Sequence, residues 1–254
     1  MSTLKVSIIQ THQYWEDKKA NLDHFSSKLE GLYNQTDLVL LPEMFDTAFS
    51  MNVENADNWI GSASVEFLKN HCRKGNYSIF TSLMIQDSGA FYNRGVFVFP
   101  DGRIVFYDKR KLFTLAKEDE VFTCGEDRKI VEFKNWKFNL NICYDLRFPE
   151  LMRNEVKDDV FEYDIQLVVA NWPERRAEHW KSLLKARAIE NQCFVVACNR
   201  IGTDAKGLTY SGDSIVLDAL GLGTFLGDEQ TVTYELEKSQ LIQIRKELPF
   251  LKDK

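Results

Sequence analysis

The stretch Trp136–Glu150, WKFNLNICYDLRFPE, constrains the fold more than any other. Trp136, Phe138, Leu140 and Ile142 fall on one face of an extended chain, and Lys137, Asn139, Asn141 and Cys143 on the other, which predicts a half-buried strand. Cys143 ends that strand on its polar face, and Pro149 suits the first turn of a following helix, where a missing N–H costs nothing. A cysteine at such a junction is exposed, and nearby backbone N–H groups and the positive helix end favour its thiolate. That is the setting of an activated nucleophile. Cys143 reads equally as a buried structural cysteine, since free Cys is among the most buried residue types.

Composition narrows the classes. A chain of 254 residues, 44% apolar and 28% charged, is long enough for one large domain, residues 1–254, with a substantial core. The net charge of -6 has no compensating basic stripe. Lys109, Arg110, Lys111 and the pair Arg175, Arg176 are too short a run to track phosphates, which excludes nucleic acid as the expected partner. No secretory segment is visible and no apolar run approaches the ~18 residues of a membrane span, so a cytoplasmic protein with no membrane partner is expected. Five cysteines without a C-x-x-C pair argue against a disulfide framework or a cysteine zinc site.

In chain order, residues 4–10 alternate as a first strand, and a helical period runs from about Trp15 to Tyr33. The apolar run Leu38–Leu41 predicts an interior strand that Pro42 halts, so Glu43 stands just past its end. Met44 to Ile60 reads as a long loop and 62–74 as a helix. Strands at 77–85, 91–99 and 103–109 alternate with turns at Asp87–Gly89 and Pro100–Gly102. A charged loop, 110–128, precedes the cysteine strand. Beyond it come a strand over DIQLVVA, a helix from Arg176 to Asn191 with Trp180, Leu183, Leu184, Ala188 and Ile189 inward, and a strand over CFVVACN. DSIVLD, GTFLG and TVTYELE read as strands, with a terminal helix from Lys238 to Leu248. Two sheets packed face to face with helices outside follow from this order. Gly221-Leu222-Gly223 opens no helix and reads as a hairpin turn, not a dinucleotide site.

Glu43, Lys109 and Cys143 each stand at a strand end. Taken singly, Glu43 and Lys109 also read as solvated charges; as a set, their chemistry fits. A carboxylate takes the thiol proton, an ammonium stabilises the oxyanion, and the thiolate carries the acyl group. The contexts LPE around Glu43, YDKRKLF around Lys109 and CYDLRFPE around Cys143 resemble the three signature segments of the nitrilase superfamily of carbon–nitrogen hydrolases. PEMF, CYDLRFPELMRN, VANWP and ARAIENQ look most like its bacterial omega-amidase branch.

The resemblance implies a Glu-Lys-Cys triad on a four-layer αββα sandwich of two mixed sheets that forms a homodimer, with neither metal nor organic cofactor. It also implies a second glutamate before a glycine in the loop after the lysine; counted back from Gly125, Glu118 fits best and Glu120 next. The implied reaction is hydrolysis of the terminal amide of small 2-oxo acid monoamides, such as 2-oxoglutaramate, through a cysteine thioester. Lys109 and the backbone N–H of Tyr144 would hold the oxyanion. The carboxylate at the far end of such a substrate needs a cation, and Arg147 is the best placed, although it reads equally as a partner of Asp145 or Glu150. Trp172 would wall the pocket, or serve the core. A nitrilase or N-carbamoyl amidohydrolase using the same triad is one alternative, and a non-catalytic dimeric binding protein is another. The four histidines show no H-E-x-x-H pattern, so metal-dependent hydrolysis lacks ligands, and a Cys-His-Glu centre using His12 would leave Lys109 idle.

Overall fold

The computed structural model of the protein describes residues 2–253. Its regular elements, in chain order, are β1 (Thr3–Gln10), α1 (Lys18–Glu30), β2 (Leu38–Leu40), α2 (Ala63–Gly75), β3 (Ser78–Asp87), β4 (Ala90–Val98), β5 (Ile104–Asp108) and β6 (Ile130–Phe133). They continue as β7 (Trp136–Ile142), β8 (Ile165–Ala170), α3 (Ala177–Asn191), β9 (Phe194–Asn199), β10 (Ile215–Leu217), β11 (Gln230–Glu237) and α4 (Lys238–Glu247). One mixed sheet runs β11-β1-β2-β3-β4-β5, with the short strand Asp57–Asn58 pairing with β3 off that path. The other runs β10-β9-β8-β7-β6, with β7, β8 and β9 parallel.

Alternation along the strands builds the layers. Leu4, Val6, Ile8, Phe80 and Phe97 of the first sheet share one buried layer with Phe138, Leu140, Ile142, Leu167 and Val196 of the second. Each such side chain contributes roughly 1.5–3 kcal/mol on burial. On the outer face of the first sheet, Phe25 and Leu29 of α1 and Val65 and Leu68 of α2 cover Val39, Ile79 and Val96. On the outer face of the second, Trp180, Leu184 and Ala188 of α3 cover Val168, Val195 and Ala197. The result is the expected αββα sandwich. Leu241 and Ile244 of α4 join the layer between the sheets.

Several local expectations need correction. α1 is shorter than 15–33, because Asp17 caps its start by accepting from Ala20 N and Gly31 caps its end. The turn between β3 and β4 narrows to Ser88 and Gly89, both at positive φ, as a two-residue hairpin demands. GTFLG is not a strand: a Cβ on Gly223 would lie 2.2 Å from Val216 O, so the segment folds back against β10, where Leu226 N donates to Ser214 O. Ile189 is exposed, and Arg187 takes an inward position instead, donating to Leu146 O. The polar face of β7 is not solvated either; Asn139 and Asn141 are fully buried. Two small hairpins, Val156–Lys157 with Val160–Phe161 and Ile201–Thr203 with Thr209–Ser211, lack a clear sequence signal.

Candidate active site

The parallel order of β7, β8 and β9 brings their C-terminal ends together, and the loop after β2 and the end of β5 meet them across the sandwich. Cys143 sits at φ +41°, a left-handed backbone conformation that L side chains rarely adopt and that here turns the chain sharply out of β7. The expected helix after it is a five-residue 3₁₀ turn, Cys143–Arg147, followed by a second, Pro149–Leu151, with Pro149 at its start. Asp145 holds this elbow: its carboxylate accepts from Ile142 N at 3.0 Å, Lys111 N at 2.9 Å and the Tyr107 hydroxyl at 2.7 Å.

Glu43, Lys109 and Glu118 form one buried cluster. Lys109 Nζ donates to Glu43 Oε1 at 2.9 Å and to both oxygens of Glu118 at 2.9 and 3.0 Å. Glu43 Oε2 accepts from Asn171 N at 2.8 Å, and the Glu43 carboxylate lies near enough to the Cys143 thiol to act on its pKa. Of the two glutamates weighed from the sequence, Glu118 is fully buried in the cluster, whereas Glu120 is exposed beside Lys117. Asn93 was invisible to motif reasoning, although a polar residue midway along an apolar strand is a signal. Its amide donates to Glu43 Oε1 at 2.8 Å and to Glu118 Oε1 at 3.1 Å.

The charges here are two carboxylates, one ammonium and a thiol. Burial works against the Lys109 charge, but Glu118 and Glu43 outweigh it and hold its ammonium above the usual lysine range. Burial, then the Glu43 carboxylate, pushes the Cys143 thiol well up, only partly offset by Lys109. The expectation of a ready-made thiolate is therefore corrected: a short 3₁₀ turn supplies too little dipole to overcome a buried site with a carboxylate nearby. The resting cysteine is a neutral thiol beside a carboxylate, the arrangement for base-assisted attack.

Cys143 opens on a cavity of about 310 Å³ whose lining includes Lys109, Phe113, Tyr144, Arg147, Trp172 and Arg176. Trp172 lines the cavity, and its ring packs 5.5 Å from Trp180 in the core. Arg147 stacks 4.5 Å over Trp172 and lies 3.3 Å from His179 Nδ1. Its sequence partner Asp145 is instead consumed by the elbow. The histidine spacing concealed one neighbourhood: His12, His24 and Glu229 converge, and Glu229 is engaged by Lys28 at 2.7 Å and by the Thr11 hydroxyl at 2.6 Å. His12 belongs to that group and does not line the Cys143 cavity.

Two helix-flanked mixed sheets with a carboxylate, an ammonium and a thiol gathered at their strand ends define a hydrolase of the carbon–nitrogen type. The family model described as carbon-nitrogen hydrolase matches residues 5–245, and the chain belongs to that family. It is 44% identical to Omega-amidase YafV of Yersinia enterocolitica over 222 residues, 87% of this chain and 84% of that protein. It is 29% identical to the 2-oxoglutaramate amidase of Bacillus subtilis over 98% of this chain and 96% of that one. The solved structure of a CN-hydrolase superfamily protein from Xanthomonas campestris, with an arsenic adduct in its active site, superposes with a TM-score of 0.97 at 38% identity, covering 100% and 98% of the two chains.

Proposed function

We propose that the protein is an omega-amidase, hydrolysing the terminal amide of small 2-oxo acid monoamides such as 2-oxoglutaramate to the acid and ammonia. The observation that carries the reading is the Glu43–Lys109 pair gathered with Cys143 at a cavity walled by Arg147 and Trp172, in a chain 44% identical to an omega-amidase.

Cys143 Sγ attacks the amide carbonyl carbon as its proton passes to Glu43. The oxyanion is held by Lys109 Nζ and the backbone N–H of Tyr144, groups oriented before the charge develops. Glu43 then returns the proton to the amide nitrogen, the C–N bond breaks and ammonia leaves a thioester on Cys143. Glu43 next takes a proton from water, whose oxygen attacks the thioester, and the departing sulfur recovers that proton. Glu118 and Asn93 orient Lys109 and Glu43 throughout. Arg147 pairs with the substrate carboxylate.

The same reading includes one catalytic domain over the whole chain, a homodimer and a cytoplasmic setting. Exposed Leu220 and Leu222 flank a turn packed on Ile189, an apolar patch that a second copy would cover, and the five cysteines are free thiols, as a reducing compartment keeps them. Light scattering on the purified chain tests the dimer. The activity is tested by measuring ammonia from 2-oxoglutaramate with hydroxylamine present: a hydroxamate should form at the expense of the acid. Cys143→Ala should give neither product, and wild-type-like turnover by that variant would end the mechanism. Turnover of a matched nitrile or N-carbamoyl compound but not of the amide would transfer the site to those chemistries.

A further inference from the structure

Arg147, Arg175 and Arg176 all line the Cys143 cavity, and among the described residues none of them has a carboxylate within ion-pair distance. Arg94, Arg187 and Arg245 elsewhere each hold one, whereas buried Arg200 is answered by the Ile201 and Gln13 carbonyls. Asp204 lies at the same cavity but is already engaged, its oxygens accepting from Lys206 N, Leu208 N and the Tyr210 hydroxyl at 2.9 Å each. A protein of net charge -6 thus keeps an uncompensated positive group beside its nucleophile.

Two of the three guanidinium groups lie over aromatic rings of the cavity lining. Arg147 rests on Trp172, whereas Arg176 lies 5.2 Å over Phe113. Both platforms are anchored. Trp172 Nε1 donates to Arg176 O at 2.8 Å, tying one wall to the other, and Phe113 N donates to Glu118 Oε2 at 2.6 Å, tying the Phe113 side to the lysine cluster. Burial, followed by the neighbouring Arg175, works against the Arg176 charge, with Arg147 adding to the effect, so an anion bound between them removes a penalty already present. Arg175 is exposed and makes no such stacking contact.

We propose that Arg176 is a specificity-determining residue: with Arg147 it forms a two-arginine cleft that selects amides ending in a 2-oxo carboxylate over those ending in a plain carboxylate. The inference rests on the omega-amidase reading and deepens it. One guanidinium satisfies both oxygens of a carboxylate in a bidentate pair. The carboxylate keeps lone pairs that a second guanidinium can share, but the 2-oxo oxygen on the adjoining carbon adds a further acceptor, and Arg176 is the group placed to take it while Arg147 holds the carboxylate. A substrate lacking it leaves the two guanidinium groups sharing one carboxylate, one acceptor short, which is how a polar site disfavours an analogue that lacks one oxygen.

The test compares 2-oxoglutaramate with glutaramate, equal in length and differing only in the 2-oxo group, across wild type, Arg176→Met, Arg176→Lys and Arg147→Met. Arg176→Met should raise KM for 2-oxoglutaramate with little loss of kcat, and cut the preference for it over glutaramate about tenfold or more. Arg176→Lys should recover part of that preference, and Arg147→Met should weaken both acid amides alike. An unchanged preference in Arg176→Met, with thermal unfolding as in wild type, would overturn the inference while leaving the omega-amidase reading intact. Wild-type turnover of neutral short amides with neither acid amide cleaved would overturn that reading, and the inference with it.

Discussion

Lys109 Nζ lies 2.9 and 3.0 Å from the two oxygens of Glu118, so a single carboxylate holds the ammonium with both oxygens while Glu43 takes a third bond. Glu118 thereby sets where the Lys109 charge points. Glu118→Gln should keep the volume but halve the negative charge around Lys109, lowering kcat by roughly 10²-fold with a small change in KM, as expected when a transition-state donor is misplaced. It also removes a carboxylate that raises the Cys143 thiol pKa, so the pH profile of Cys143 alkylation should move to lower pH. An unmoved profile would show that Glu118 does not sense the thiol.

Lys109 and Lys111 are two residues apart and only the first joins the carboxylates; Lys111 Nζ instead lies 5.0 Å over the Phe148 ring. Lys109→Met should therefore lower kcat by about 10²-fold or more, the usual cost of losing an oxyanion donor, and Lys111→Met should not. Steady-state rates for the pair decide it, and the reverse ranking would move the role to Lys111.

Asn93 is the shared donor between the two glutamates. Asn93→Leu, of similar size, strips both of a hydrogen bond in a buried site where an unmade bond costs about 1–3 kcal/mol each. The variant should lose melting temperature and kcat together; stability retained with activity lost would assign Asn93 to catalysis alone.

The layer between the sheets should be the least forgiving part of the core. Leu140 is fully buried there, and Leu140→Ala should destabilise the fold by about 2–5 kcal/mol by leaving a cavity the two sheets cannot close. Urea unfolding measures it, and a cost below about 1 kcal/mol would mean that the sheets collapse onto the gap.

His24 gives a pH dependence with a definite sign. Burial, with positive charge at His12 and Lys28 adding to it, lowers its pKa from 6.5 to about 4 in the fold. Between those values the unfolded chain binds the proton and the folded one does not, so this contribution is full above pH 6.5 and is lost as pH falls towards 4. His24→Gln should flatten the loss of stability over that interval. A slope identical to wild type would assign the acid sensitivity elsewhere.

Period-two alternation in WKFNLNIC and the apolar run LVLL specified strands, strand ends and the outward turn at Cys143, because side-chain spacing along an extended chain is a local property. The three family segments specified which carboxylate, lysine and thiol belong together. What the chain could not show locally is contact. Asn93 sits fifty residues from Glu43, the elbow is held by Tyr107 from another strand, and Arg176 faces the cavity only because β8 and α3 bring it there. The protonation state of Cys143 was likewise a tertiary decision. A strand-to-helix junction read in isolation favours a thiolate, but burial and a carboxylate delivered from the opposite sheet reverse that preference, since electrostatics depends on distance in space and not on separation along the chain.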